Sequence, residues 1–383
     1  MRVMHLVYSL RAGGAERTVV ELAKWQLRLG HRPQIAIMAD VVDYADDLVS
    51  AGLDVIKFRN GWAPSQFFMY LPTYCCWFSR LVKAFKPEVI HCQMSQEMIV
   101  AGFSIHGVPM VRTIQNTFDT WTDTGPRARL MTAVERQAIH YRHPKLVAVN
   151  SMDIPSIISR VFGIDETQLP VIPNPVDIDA FPFRGTDNLE RPGGPGTVRI
   201  VNVGTLCYQK NQEMSVRALG RLVQMGYDAS LLLAGEASEG GTAGLLQVAD
   251  RVGVKERIGL LGKVKDVLSL LSESDFFWMS SRWEGLPLSL LEAMSVGLPV
   301  IATNAPGIRE LVVGDTGVLV PLDDDDAMAQ ETVRLLGDPQ RYSSIAKSAR
   351  RHIEANYNSK SITQRYLDLY AHMIAIQGTH ADS

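Results

Sequence analysis

Twice along this chain, short apolar runs alternate with longer stretches of helical periodicity, a pattern with few folded solutions. Runs such as Asp275-Phe276-Phe277-Trp278-Met279-Ser280 are apolar on both faces, which suits strands covered on both sides in a parallel sheet. In the first series strands are expected at 1–8, 33–38, 54–57, 89–92, 108–114 and 145–149, with a helix over 15–29 closed by Gly30 and another ending near Phe85. The second places strands at 198–203, 231–234, 258–261, 276–279, 300–302 and 318–320, then helices over 327–336 and to near Arg351. Residues 184–197 between them are rich in Gly, Pro and polar residues, the composition of a linker.

Two such series predict an α/β protein of two Rossmann-like domains, each with a parallel sheet. The length of 383 residues exceeds what one core usually holds. The boundaries read as a first domain over 1–180, a linker over 181–198 and a second domain over 199–360. Open sheets of this kind bind ligands at the carboxyl ends of their strands, so the expected site is a cleft between the two. A net charge of −3 without a basic domain argues against a nucleic-acid binder. Cys75, Cys76, Cys92 and Cys207 lack zinc-ligand spacing, and the adjacent pair makes a poor disulfide framework. A reducing cytoplasm fits them, and the apolar run 3–10 is too short for a signal-peptide core.

The stretch Trp283-Glu284-Gly285-Leu286-Pro287-Leu288-Ser289-Leu290-Leu291-Glu292 sets two carboxylates across a loop-to-helix junction. A helix from Leu288 or Ser289 to Gly297 leaves free N–H groups at its mouth, where a phosphate is favoured. Glu292 would then take ribose hydroxyls and Glu284 a sugar beyond the diphosphate. Equally open on these residues alone, Glu292 is a helix-start acid and Glu284 a solvated loop residue. Arg11-Ala12-Gly13-Gly14 follows the first strand and lets the backbone approach a diphosphate, but it lacks the third glycine of a dinucleotide fingerprint.

The two-carboxylate stretch resembles the Glu-x7-Glu signature of the retaining GT-B glycosyltransferases, family 4 or group 1. Leu261-Gly262-Lys263-Val264 resembles that family's nucleobase turn, Gly204-Thr205 through Lys210 its diphosphate loop, and Gly13-Gly14-Ala15-Glu16 its glycine loop. The resemblance implies a nucleoside-diphosphate sugar donor, uridine diphosphate first and guanosine diphosphate as an option, with no cofactor and no essential metal. A hexose-type sugar would pass to a hydroxyl of a glycan or lipid-linked acceptor with retention, in cell-surface polysaccharide or glycoconjugate synthesis. Glu284, Lys210 and Gln115 are the implied catalytic residues. Donor binding falls to Gly13, Gly14, Arg11, Thr205, Gly262, Lys263 and Val264, with Gly285, Leu286, Leu288 and Glu292. His91, Asn116 and Asp119 are the acceptor-side candidates, and the C-terminal helix 361–376 is expected to cross back to the first domain.

Three departures from the family pattern matter. Thr205 stands where many relatives have arginine, and Arg11 is the candidate for the second positive charge. Gln115 stands where histidine is common, and glutamine positions but cannot shuttle a proton. Pro175 replaces the glycine of an interdomain segment whose Asp177-Ile178-Asp179 reads as a turn, not a metal pair.

Residues 61–79 carry no charge and seven aromatics, with Arg80, Lys83 and Lys86 behind. Pro64 and Pro72 argue against a spanning helix. Two readings remain: a helix packed on its own domain or lining the acceptor cleft, which is favoured, or a peripheral contact with the cytoplasmic membrane face. Alternatives for the whole chain are a nucleotide-sugar 2-epimerase of the same fold and a non-catalytic nucleotide-sugar-binding subunit.

Overall fold

The computed structural model describes residues 1–10, 13–39, 45–58, 66–116, 125–149, 153–185, 197–237 and 241–381, without the side chains of 45–47 and 377–381. Arg11, Asp119 and the start of the aromatic stretch, 61–65, lie outside them. The chain divides into two compact units, Met1–Pro175 with Ser359–Ser383, and Val176–Asn358.

The first unit runs β1 (Arg2–Val7), α1 (Gly14–Arg28), β2 (Arg32–Ile37), α2 (Ala45–Ser50), β3 (Asp54–Lys57), α3 (Phe67–Phe85), β4 (Val89–Cys92), α4 (Ser95–Phe103), β5 (Met110–Ile114), α5 (Pro126–Arg142), β6 (Lys145–Ala148) and α6 (Ile154–Phe162). Its strands form a parallel sheet in the order β3-β2-β1-β4-β5-β6. The second unit runs β7 (Val198–Val203), α7 (Gln212–Gln224), β8 (Ala229–Ala234), α8 (Gly241–Arg251), β9 (Ile258–Gly262), α9 (Val267–Ser272), β10 (Phe276–Met279), α10 (Leu288–Ser295), β11 (Val300–Thr303), β12 (Val318–Val320), α11 (Asp325–Leu336) and α12 (Pro339–Asn356). Its parallel order is β12-β11-β10-β7-β8-β9. Both are Rossmann-like sheets. Strands β4, β10 and β11 are buried along their whole length, as runs covered on both faces require.

The last helix, α13 (Ser359–Ala381), belongs to the first unit, where Ile362, Tyr366, Leu367 and Tyr370 are buried with Val3, Val89, Val111 and Val147. The start of the second unit differs from the boundary expected at 181–198. Val176 N–H donates to Tyr357 O at 2.9 Å, and the Arg184 guanidinium donates to Ser274 O at 2.5 Å and to Tyr342 Oη at 2.9 Å. Phe183 lies so close under Gly297 (φ +75) that a Cβ there would strike its ring. Phe181 and Phe183 thus attach this stretch to the second unit, ahead of the Gly- and Pro-rich residues. Tertiary packing outweighs the flanking loop composition.

Helix α3 holds Pro72 inside it. It buries Phe67, Tyr74, Phe78 and Val82 on one face, and Phe58 packs on Tyr74 and Trp77 at ring separations of 4.9 and 5.3 Å. Burial of such rings stabilises by roughly 1.5–3 kcal/mol each, so these aromatics serve packing within their own unit. Among the described residues no helix is long and apolar enough to cross a membrane.

Candidate functional site

In the second unit the strand order reverses between β7 and β10, and the loops leaving these two strands meet. Lys210 Nζ donates to Glu284 Oε1 at 2.5 Å, and Ser281 Oγ donates to the same oxygen at 2.6 Å. The Glu284 side chain is 5% exposed and that of Lys210 20%. Backbone and side chains stitch the loops together: Arg282 N–H to Gln209 O (2.8 Å), Gln209 Nε2 to Trp283 O (2.9 Å) and Ser280 Oγ to Lys210 O (3.0 Å). Asp323, just past β12, accepts from Asn211 Nδ2 at 2.8 Å and from the Arg282 guanidinium at 3.1 Å. Two opposite charges are therefore held in a scaffold that leaves their aliphatic stems little freedom.

The loop after β11 completes this arrangement. Glu284 N–H donates to Pro306 O at 2.9 Å, and at Gly307 (φ +77) a Cβ would collide with the carbonyls of Glu284 and Gly285. Only glycine allows that approach. Gly285 and Leu286 are buried, and Leu288 opens α10, whose cap residue Pro287 offers no side-chain hydrogen bond. Glu292 lies in the second turn of that helix and is 3% exposed. At the sheet edge Gly262 (φ +60) ends β9 and accepts from Gly235 N–H at 2.7 Å, with Lys263 exposed and Val264 half-buried. Thr205 is exposed, and its carbonyl accepts from Gln212 Nε2 at 3.0 Å.

Sequence reasoning assigned Lys210 to a diphosphate and Glu284 to a sugar, and missed that the two form an ion pair. It also missed Ser281, Gln209, Arg282 and Asp323. Arg282 lies 4.2 Å over the ring of Tyr208, which is 74% exposed. The available signal was positional, since each of these residues follows a predicted strand and so falls on the ligand-binding end.

In the first unit Gly13 precedes α1, which has no side-chain cap, and Gly14 is its first residue. A Cβ at Gly13 would meet the carboxylate of Glu16. Gln115 and Asn116 follow β5 and are half-buried. Gln115 Nε2 donates to Gln93 Oε1 at 2.7 Å, so the Gln93 amide nitrogen faces His91 Nε2 at 3.2 Å. That contact makes Nε2 an acceptor and puts the ring proton on Nδ1, which donates to Tyr370 Oη at 2.6 Å. Thr113 Oγ1 joins His91 at 2.8 Å and Tyr366 Oη at 2.9 Å. His91 is fully buried, and desolvation holds its pKa well below the usual value. His91, expected on the acceptor side, thus lies fully buried behind Gln93 in a line of hydrogen bonds running from α13 to Gln115.

A buried carboxylate that the sequence did not single out lies nearby. Glu97 accepts backbone N–H groups of Tyr8 (2.7 Å), Gln93 (2.6 Å) and Met94 (2.9 Å), tying the end of β1 to the end of β4. Burial pushes its pKa up to about 7, against those three donors. Asp177 accepts the N–H groups of Asp179 (3.0 Å) and Ala180 (3.3 Å), closing a turn. Among the described residues no group of three His, Cys, Asp or Glu converges as a metal site requires.

Two α/β units of this topology, with a charged pair at the strand-order reversal of the second, define a nucleotide-type binding fold. Residues 12–180 match the model of Glycosyltransferase Family 4, and residues 197–338 that of Glycosyl transferases group 1. With the structural neighbours, these matches support a GT-B glycosyltransferase of the family 4/group 1 type. N-acetyl-alpha-D-glucosaminyl L-malate synthase of Bacillus anthracis is 31% identical over 172 residues, 45% of this chain and 44% of that protein. The UDP-Gal:alpha-D-GlcNAc-diphosphoundecaprenol alpha-1,3-galactosyltransferase of Escherichia coli is 26% identical over 343 residues, 87% of each. Anabaena HepE, solved in complex with UDP, superposes with a TM-score of 0.80 at 20% identity, covering 97% of this chain and 100% of that one, a likeness of fold.

Proposed function

We propose that this chain transfers a hexose-type sugar from a nucleoside-diphosphate sugar, uridine diphosphate first, to a hydroxyl of a glycan or lipid-linked acceptor, with retention of anomeric configuration. The carrying observation is the Lys210–Glu284 pair at 2.5 Å at the strand-order reversal of the second unit. One relative acts on a donor and an acceptor of these classes, the Escherichia coli enzyme on UDP-galactose and a diphosphoundecaprenol-linked sugar.

In this reading the diphosphate sits over Lys210 and the uncapped start of α10, the ribose on Glu292, the base against Gly262 to Val264, and the sugar beside Glu284. An arriving phosphate would compete with Glu284 for the lysine ammonium, leaving the carboxylate to a sugar hydroxyl. The bond from the anomeric carbon to the phosphate oxygen breaks as the acceptor oxygen bonds to that carbon on the same face. The acceptor proton passes to the leaving phosphate, whose charge Lys210 offsets, so the reading assigns no metal and no covalent nucleophile. Gln115 positions without exchanging a proton.

The experiment is a panel of nucleotide sugars followed by thermal shift and by release of free nucleotide. A shift and slow donor hydrolysis with one nucleotide sugar, both lost in Glu284→Ala, are expected. Stabilisation by none of the panel would overturn the reading, and epimerised sugar formed without acceptor would replace it with the 2-epimerase.

A further inference from the structure

A cavity lies within the first unit, where α5, α6 and the start of β6 come together. It measures about 720 Å³ and opens at the start of β6, the end of the sheet opposite Gln115 and Asn116. Arg136, His140, His143, Lys145 and Arg160 line it, and among the described residues no acid joins its wall. Its apolar lining includes Leu146, Phe162 and Leu169. The volume falls within the range usual for small-molecule sites, roughly 300–1,000 Å³.

The C-termini of α5 and α6 both end here, and cations at helix C-termini often serve only to offset the helix dipole. Each such end carries roughly half a negative charge, about one in sum. Arg136, Lys145 and Arg160 bring three positive charges, leaving a surplus of about two before either imidazole is counted. Nor do the helix ends need these side chains as caps. His143 N–H donates to Ile139 O at 2.7 Å and Gly163 N–H to Ser159 O at 2.8 Å, both residues being left-handed. Of the acids next to the wall in sequence, Asp165 is turned to the N–H and hydroxyl of Thr167 at 2.9 and 2.8 Å, and Glu135 is buried in an ion pair with Arg112. Lys145 Nζ is held in place by Gln168 O at 2.8 Å.

We propose that this cavity is an anion site, separate from the donor loops, that takes a phosphate-bearing ligand. Its phosphate sits against the guanidinium groups of Arg136 and Arg160, whose planar forks match phosphate oxygens, and its apolar flank lies on Leu146 and Phe162. A soluble phosphomonoester and the headgroup of an anionic lipid share this chemistry.

The full-length protein is titrated calorimetrically with glycerol 3-phosphate, and its sedimentation is followed with phosphatidylglycerol/phosphatidylcholine vesicles and with phosphatidylcholine vesicles alone. Binding to one of the two anionic probes is expected, weakened at least tenfold in Arg136→Glu/Arg160→Glu and kept in Lys210→Ala. Glycerol 3-phosphate binding would assign a soluble ligand; retention on anionic vesicles alone would assign a lipid headgroup. The proposal is overturned if neither probe binds, or if Arg136→Gln/Arg160→Gln, checked for an unchanged melting curve, binds both as the wild type does.

Discussion

Lys210 and Glu284 illustrate what a single contact decides. Removing one partner leaves a buried charge unopposed, so Lys210→Met is expected to cost up to about 3 kcal/mol, tempered by the partial exposure of the lysine. Adding Glu284→Gln should recover much of that loss in urea melts, while transferase activity stays down on the order of 100-fold in each single and in the double variant. Recovery of activity in the double variant would show that the pair is structural alone. Glu97 offers a second test. Its pKa is raised from 4.5 to about 7, so between those values the folded chain holds a proton that the unfolded chain has released. Stability should therefore fall as pH rises from 4.5 to 7, by at most about 3 kcal/mol, and then level off. Glu97→Gln should remove that component of the slope in chemical denaturation at stepped pH. His5 works the other way: burial lowers it from 6.5 to about 4, so its contribution is present above 6.5 and lost as pH falls towards 4.

At the scale of elements, α13 carries more than its position at the chain end suggests. Tyr366 and Tyr370 fill the core of the first sheet and close the line of hydrogen bonds through His91 and Gln93 to Gln115. Tyr366→Ala is expected to cost roughly 3–5 kcal/mol by thermal or urea melts, as for other large buried rings. Tyr370→Phe keeps the packing but strips the acceptor from His91 Nδ1, a loss of about 1–3 kcal/mol. If the line also orients Gln115, kcat should fall several-fold in Tyr370→Phe with the donor KM little changed. Unchanged kcat beside lowered stability would confine α13 to a packing role. Strand positions in both series were legible because burial on both faces writes itself as continuous apolar runs. The role of His91 was not, since a strand-end histidine reads alike whether it faces a substrate or a neighbouring tyrosine. The attachment of residues 176–185 to the second unit was not legible either, because the packing of Phe183 under Gly297 joins residues far apart in sequence.

For the whole molecule, ligand linkage gives the broadest check. A nucleotide that binds the folded second unit at a hundred times its Kd should stabilise it by roughly 2.7 kcal/mol, and Lys210→Met should abolish most of that shift in a thermal melt. The amino-acid sequence by itself determined the two parallel α/β units and the strand ends where the candidate residues gather, because alternation and turn composition are local consequences of burial and backbone geometry. It also pointed to Glu284 and Glu292 by their place across a loop-to-helix junction, and to Lys210 through the family resemblance. Only the tertiary structure decided that Lys210 meets Glu284 across 74 positions, that His91 is enclosed by α13, and that five basic or imidazole side chains share one cavity. Such meetings depend on how distant loops and helices pack, and no local pattern records that free energy.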